Sequence, residues 1–313
     1  MNLIGKSHLH ELALRWNERT VGDANELDKD EIILNHIVLH FNIKVLDIRG
    51  FGGVTLSSST NLFTNLVQLN LHNCRRLQYF ELSMLHVKRL SMIDLPCLEY
   101  ILNDNNNDNS SSFCVSVTDI ELFWLTNLNG WCNCSEEEIS SGCCHQFQSL
   151  ESLSICECCN LISLPQLTHI RNVNLSHVTE NILHRAVNHS KVEYLEIGSM
   201  INFKSLRGVF QHLSTLCELR IFNGGEFDPC NDEDGCYSMK WKELTNLKGL
   251  LFTGIPKMTY LPEGLQHITT LQTLRIKNCV NLTSIPEWAT SLQVLDIQQC
   301  PNVTSRHVGV EDQ

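Results

Sequence analysis

The chain has 313 residues, 42% of them apolar and 19% charged, which supplies enough aliphatic material for a large core and argues against disorder. Aromatic residues make up only 7%, so aliphatic side chains must fill the interior. The formal net charge of −12, from 35 acids against 23 Lys and Arg, opposes a nucleic-acid partner, because a phosphate backbone is met by clustered bases.

Met1–Thr20 lacks the apolar run and the small-residue cleavage pattern of a signal peptide. No stretch reaches the roughly 18 uninterrupted apolar residues of a membrane helix. The best candidate, Ile32–Phe41, is broken by Asn35, His36 and His40. The expectation is a chain without a membrane span, cytoplasmic or nucleocytoplasmic, whose 15 cysteines are reduced thiols, many of them buried.

One pattern, apolar-x-x-apolar-x-apolar, returns twelve times. It begins at Leu9, Leu12, Leu14. Asp23–Leu39 follows, with early acids and apolar residues at helical spacing, which predicts a helix behind the repeats. The pattern resumes at Ile43, Leu46, Ile48; Leu66, Leu69, Leu71; and Val87, Leu90, Met92. An insertion, 103–112 (NDNNNDNSSS), precedes Val117, Ile120, Leu122, and a second, 129–147, precedes Leu150, Leu153, Ile155. Then come Ile170, Val173, Leu175; Val192, Leu195, Ile197; and Leu216, Leu219, Ile221. A third insertion, 223–237, leads to Leu247, Leu250, Phe252; Leu271, Leu274, Ile276; and Leu292, Leu295, Ile297. The Asn, Ser, Gly and acidic content of the insertions marks surface loops.

The commonest separation, about 20 to 24 residues, is that of a leucine-rich repeat. Each x-Leu-x-Leu-x is a short strand with alternate side chains inward. No unit can bury its apolar side alone, but stacked units can. The expected fold is an α/β leucine-rich-repeat solenoid, a curved horseshoe forming a single domain over 1–313. Its repeats run from Leu9 to Val303, with about 12 parallel strands on the concave face and loops, turns or short helices on the convex side. Cys74, Cys158, Cys279 and Cys300 recur just after strands, as a structural ladder inside the turn.

Several units end in a more specific phrase: Cys158-Cys-Asn-Leu-Ile-Ser-Leu-Pro165, Cys279-Val-Asn-Leu-Thr-Ser-Ile-Pro286 and Cys300-Pro-Asn-Val-Thr-Ser305. These endings, with His8–Asn17 and Ile43–Val54, resemble the R13L1/DRL21-like leucine-rich-repeat region of plant intracellular NB-ARC resistance proteins of the coiled-coil type. The resemblance extends over essentially the whole chain. It implies a non-catalytic recognition and autoregulatory domain of an innate immune receptor. Its partners would be a pathogen effector or a guarded host protein, together with the receptor's own NB-ARC module. No Gly-x-x-x-x-Gly-Lys-Ser/Thr loop occurs in this chain, so neither an NB-ARC domain nor a nucleotide cofactor is expected here. The position of Met1 at the first repeat suggests a receptor's sensor region, either a fragment or a truncated product. An F-box ubiquitin ligase's substrate-recognition solenoid is the alternative, favoured by His177–Ile197 and opposed by the Leu/Ile-Pro endings. An extracellular receptor ectodomain is weaker still, because its Leu-x-Gly-x-Ile-Pro ending is missing.

Other chemistry finds little support. Cys132, Cys134, Cys143, Cys144 and His145, with Cys156, Cys158 and Cys159 nearby, supply zinc ligands in number, but no common finger has that spacing. Neither Gly-x-Ser-x-Gly nor His-Glu-x-x-His occurs, so no enzyme is expected and no metal is assigned. Six Asn-x-Ser/Thr sequons, at Asn109, Asn133, Asn174, Asn188, Asn281 and Asn302, are what chance supplies at this composition. Recognition falls to outward strand positions. Arg49, His72, Ile93, Glu121 and Phe123 in the first half, and Arg220, Phe222, Leu251, Arg275 and Lys277 in the second, set apolar groups beside fixed charges as the expected partner-binding face. Arg220, Arg275 and Lys277 are expected to form one basic group.

Overall fold

A computed structural model describes residues 8–16, 30–34, 42–57, 65–81, 86–102, 116–132, 147, 149–188, 190–206, 208–230 and 241–304. The chain divides into two units, Met1–His169 and Ile170–Gln313. Insertion 103–112, most of 129–147 and the end of 223–237 lie outside the described residues, as does most of the expected helix at Asp23–Leu39. Residues 30–34 of that segment are helical.

In the first unit the repeat strands are β1 (Glu11–Arg15), β2 (Val45–Arg49), β4 (Gln68–His72), β6 (Arg89–Ile93), β8 (Asp119–Phe123) and β10 (Ser152–Cys156). They pair in that order, all parallel, with no slip in register: Leu46 sits against Leu69, Leu69 against Leu90, Leu90 against Ile120 and Ile120 against Leu153. The second unit repeats the arrangement with β11 (Asn172–Ser176), β12 (Tyr194–Gly198), β13 (Glu218–Phe222), β14 (Gly249–Thr253), β15 (Thr273–Lys277) and β16 (Val294–Gln298). The twelve strands and their direction match the repeat count read from the sequence, and the fold is a leucine-rich-repeat solenoid. Inward positions two and four of β2, such as Leu46 and Ile48, are fully buried, and each coil adds one more pair to a shared aliphatic stack. Only the outermost strands, β1 and β16, leave these positions half-buried.

The residue after nearly every strand is left-handed. Gly50, Asn73, Asp94, Trp124 and Glu157 follow β2 to β10, and His177, Ser199, Asn223, Gly254, Asn278 and Gln299 follow β11 to β16, with φ between 44° and 70°. The turn lets the chain leave the sheet while its N–H makes one more ladder bond. Asn73 N donates to Ile93 O at 2.9 Å, and Asn223 N to Thr253 O at 2.8 Å. Glycine is needed at Gly50 on a second count, since a Cβ there would lie 2.8 Å from Trp16 O.

The units close their backs differently. In the first, short strands form parallel pairs, β3 (Thr55–Ser57) with β5 (Tyr79–Glu81) and β7 (Tyr100–Leu102) with β9 (Gly130–Cys132). This second row of strands was not expected, and β9 opens the segment read as insertion 129–147. The helical residues 30–34 pack there through acids. Asp30 Oδ2 accepts from Gly52 N at 3.1 Å, and Glu31 Oε1 accepts from Val54 N and Thr55 N at 2.7 and 2.9 Å. In the second unit the backs are a two-turn helix, Glu180–Val187, and 3-10 turns at Phe210–His212, Trp241–Glu243, Glu263–His267 and Glu287–Ser291. Insertion 223–237 also reaches the core, because Phe227 is fully buried and stacks on Phe203 with ring centroids 5.2 Å apart.

Candidate recognition face

Because period-2 strands in exact register align their outward side chains in columns, the expected face can be read coil by coil. In the first unit, strand position five runs Arg15, Arg49, His72, Ile93, Phe123, Cys156, and position three runs Ala13, Asp47, Asn70, Ser91, Glu121, Ser154. All five residues singled out in this half therefore lie in two adjacent columns. Arg49 is engaged, since its Nε and Nη2 reach the Asp47 carboxylate at 2.7–3.0 Å. That hydrogen-bonded guanidinium holds the Asp47 carboxyl below its ordinary range. Burial lowers the His72 pKa despite the opposing pull of Asp47. Ile93 and Phe123, half-buried neighbours in register, form an apolar step beside exposed Glu121.

The sequence reading passed over Trp124. It follows Phe123 in the left-handed turn, where most coils carry small or polar residues, and it is 53% exposed, with its ring centroid 6.4 Å from that of Phe123. The signal was present as an aromatic doublet at a strand end.

In the second unit, position three runs Asn174, Glu196, Arg220, Leu251, Arg275, Asp296, and position five runs Ser176, Gly198, Phe222, Thr253, Lys277, Gln298. The expected basic group is divided. Arg220 is held by Glu218 at 2.7 Å and Glu196 at 3.7 Å, with its guanidinium carbon 5.2 Å from the Tyr194 ring centroid. The Tyr194 hydroxyl donates to Glu196, and burial is the first cause raising its pKa. Within this four-residue network the Arg220 guanidinium is covered by two carboxylates. Arg275 and Lys277 form no ion pair with another described residue; Asp296, beside Arg275 in register, accepts instead from Gln298 at 3.0 Å. Phe222 lies flat across the neighbouring strand, where only Gly198 leaves room: a Cβ there would come within 2.0 Å of the ring. Leu251 stands half-buried between Arg220 and Arg275.

The four ladder cysteines sit behind the turns. Cys74, Cys158 and Cys279 are fully buried. Their thiols donate to backbone carbonyls, Cys74 Sγ to His72 O at 3.4 Å, Cys158 Sγ to Cys156 O at 3.5 Å and Cys279 Sγ to Lys277 O at 3.5 Å, while Cys300, half-buried, reaches Gln298 O at 3.4 Å. Burial pushes the Cys74 and Cys279 thiols up to about 11 and that of Cys158 up to about 12, so none is a ready nucleophile at neutral pH. A second ladder went unread. Asn127, Asn160, Asn246, Asn281 and Asn302 each donate from Nδ2 to a carbonyl of the preceding coil at 2.7–2.8 Å. Two of these amides, Asn281 and Asn302, belong to sequons, and a glycan would replace one of the two Nδ2 hydrogens and add bulk beside the bonded carbonyl.

Among the described residues no group of three or more His, Cys, Asp or Glu could hold a metal ion, and no helix is long and apolar enough to cross a membrane. Cys134, Cys143, Cys144 and His145 lie outside the described residues.

Residues 1–101 match the family described as R13L1/DRL21 LRRs. Over 234 residues the chain is 25% identical to a protein named as disease resistance protein RGA1 from Solanum bulbocastanum, a match covering 70% of this chain and 21% of that protein. The chain thus aligns with about a fifth of its relative's length. The leucine-rich repeat domain of the type III effector XCV3220 (XopL) aligns with a TM-score of 0.33 at 14% identity, covering 82% of this chain and 68% of that one. Its twelve parallel strands make this chain a run of leucine-rich repeats, of which residues 1–101 match the R13L1/DRL21 family, and over 70% of its length it is similar to a plant disease resistance protein.

Proposed function

We propose that the chain is the non-catalytic recognition and autoregulatory leucine-rich-repeat region of a plant innate immune receptor that works in the cytoplasm. Similarity over 70% of the chain to a disease resistance protein carries this reading. In it, the outward face binds a pathogen effector or a modified host protein, and the same repeats restrain the NB-ARC module of a full-length receptor. The face has what such binding uses. Ile93, Phe123 and Trp124 offer apolar area in the first unit, and Leu251, Arg275 and Lys277 set an apolar group beside two charges that no described side chain neutralises in the second. Arg49 and Arg220, each already satisfied by acids of the face, orient their neighbours more than they attract a partner. A ligand changes the receptor's state only by binding one state more tightly than the other.

The test is co-expression with an NB-ARC module from a receptor of this kind. Association with the chain, and lower activity of the module in its presence, are expected; failure of both overturns the proposal. Arg275→Glu combined with Lys277→Glu is expected to weaken association about tenfold, mostly through slower encounter at low salt. Unchanged association would remove those two residues from the contact.

A further inference from the structure

In the first unit, behind the sheet, the two short strand pairs lie side by side without joining into one sheet: β5 pairs with β3 and β7 with β9, and β5 and β7 share no ladder. A half-open cavity of about 240 Å³ occupies this seam, lined by Gln78, Tyr79, Cys97, Glu99, Tyr100 and Asn127. The lining repeats by coil. Gln78-Tyr79 and Glu99-Tyr100 occupy the same two positions of successive coils, at and just before the first residue of β5 and β7. Two tyrosines therefore line the cavity, Tyr100 preceded by the carboxylate of Glu99 and Tyr79 by the amide of Gln78.

Asn127 comes from the third coil and is fixed by its Nδ2 bond to Pro96 O at 2.7 Å, which leaves its side-chain oxygen as an acceptor. The lining holds one carboxyl group, two phenol rings and several acceptor oxygens, and it contains no Lys, Arg or His. Apart from that Asn127 bond, no side-chain hydrogen bond or ion pair joins the polar groups of Gln78, Tyr79, Glu99 or Tyr100 to another described residue. Nearby guanidinium groups are turned to other work, Arg75 to Asp94 at 3.1 Å and Arg76 to Gly52 O at 3.3 Å. Ring faces attract cations, and a carboxylate beside them adds a charge-assisted hydrogen bond.

We infer that this seam is a binding site for an alkylammonium or guanidinium group, separate from the outward face. The group can arrive as a free small amine or as a Lys or Arg side chain of a bound protein. The volume admits one such head and a short stem.

The test is calorimetric titration of the full chain with agmatine and with the capped peptide acetyl-Gly-Arg-Gly-amide, using the citrulline peptide as the uncharged control. Saturable binding of at least one cationic probe, no binding of the citrulline peptide, and weaker binding as salt is raised are expected. Glu99→Gln should lower affinity about tenfold and Tyr100→Leu several-fold, with far-UV circular dichroism and melting temperature confirming that both variants fold. Tighter binding of the peptide assigns the site to a protein side chain, and tighter binding of agmatine assigns it to a free amine. No saturation by either probe, or equal affinity in a folded Glu99→Gln variant, overturns the inference.

Discussion

The two units stack the same kind of strand in the same parallel register, yet they turn back along the sheet by different means. In the first unit the segments after the turns are Thr55–Ser57, Tyr79–Glu81, Tyr100–Leu102 and Gly130–Cys132, mostly β-branched, aromatic or Leu, and they form short parallel strands. In the second, Pro262 and Pro286 stand before Glu263–His267 and Glu287–Ser291, with φ of −56° and −71°, and each Pro-Glu starts a 3-10 turn. A coil's back is thus chosen by a few residues after its turn, while its front is set by Leu-x-Leu. The faces differ correspondingly in charge: Asp47 covers Arg49 in the first unit, whereas Arg275 and Lys277 stand open in the second.

The largest effects should fall where the units are alike. Leu69→Ala and Leu219→Ala each remove a fully buried, register-matched side chain, and each should cost about 2–5 kcal/mol in urea unfolding. A cost confined to one unit would mean that the shared stack is not the common source of stability. The asparagine ladder comes next. Asn160→Ala and Asn281→Ala each orphan a carbonyl of the preceding coil at the surface, with an expected loss of about 1 kcal/mol in either unit.

Much of this was legible beforehand, and the reasons are physical. Every strand carries the inner pair of anchors because burying alternate residues leaves a period-2 trace that no insertion can erase. The back was harder, since three-residue strands and single 3-10 turns are too short to show a period. Asn160 and Asn281 stand inside Cys-x-Asn-Leu and Asn302 inside Cys-Pro-Asn-Val, whereas Asn127 and Asn246 sit in Leu-Thr-Asn-Leu, with no cysteine to mark the same place in the coil. Charge pairing on the face was not legible at all. Arg220 and Arg275 occupy the same position on strands two apart, and only the neighbouring Glu196 and Glu218 against Asp296 tell the covered one from the open one.

Smaller effects test the differences. Pro262→Ala and Pro286→Ala should each cost about 0.4–1 kcal/mol, because the native φ already suits proline and the substitution frees the unfolded chain. No loss would mean that the 3-10 backs owe nothing to those prolines. Trp124→Asn should instead stabilise by up to about 1 kcal/mol, because a left-handed φ of 56° suits asparagine better and the half-exposed ring loses little burial. Destabilisation would show that the ring contributes packing beyond its contact with Phe123.

The smallest effect separates a titrating face from a fixed one. His72 sits between Arg49 and Ile93 in the first unit, while the corresponding column of the second carries Lys277 and no histidine. Burial lowers the folded His72 pKa below its ordinary value near 6.5, so the unfolded chain binds that proton more readily. The contribution to stability is therefore complete above about pH 6.5 and is lost as the pH falls below it, down through the lowered folded value. His72→Gln should flatten this part of the stability profile in urea titrations between pH 5 and 7.5 and leave the plateau above pH 7 nearly unchanged. A profile equally steep in the variant would place the acid sensitivity elsewhere than on this column.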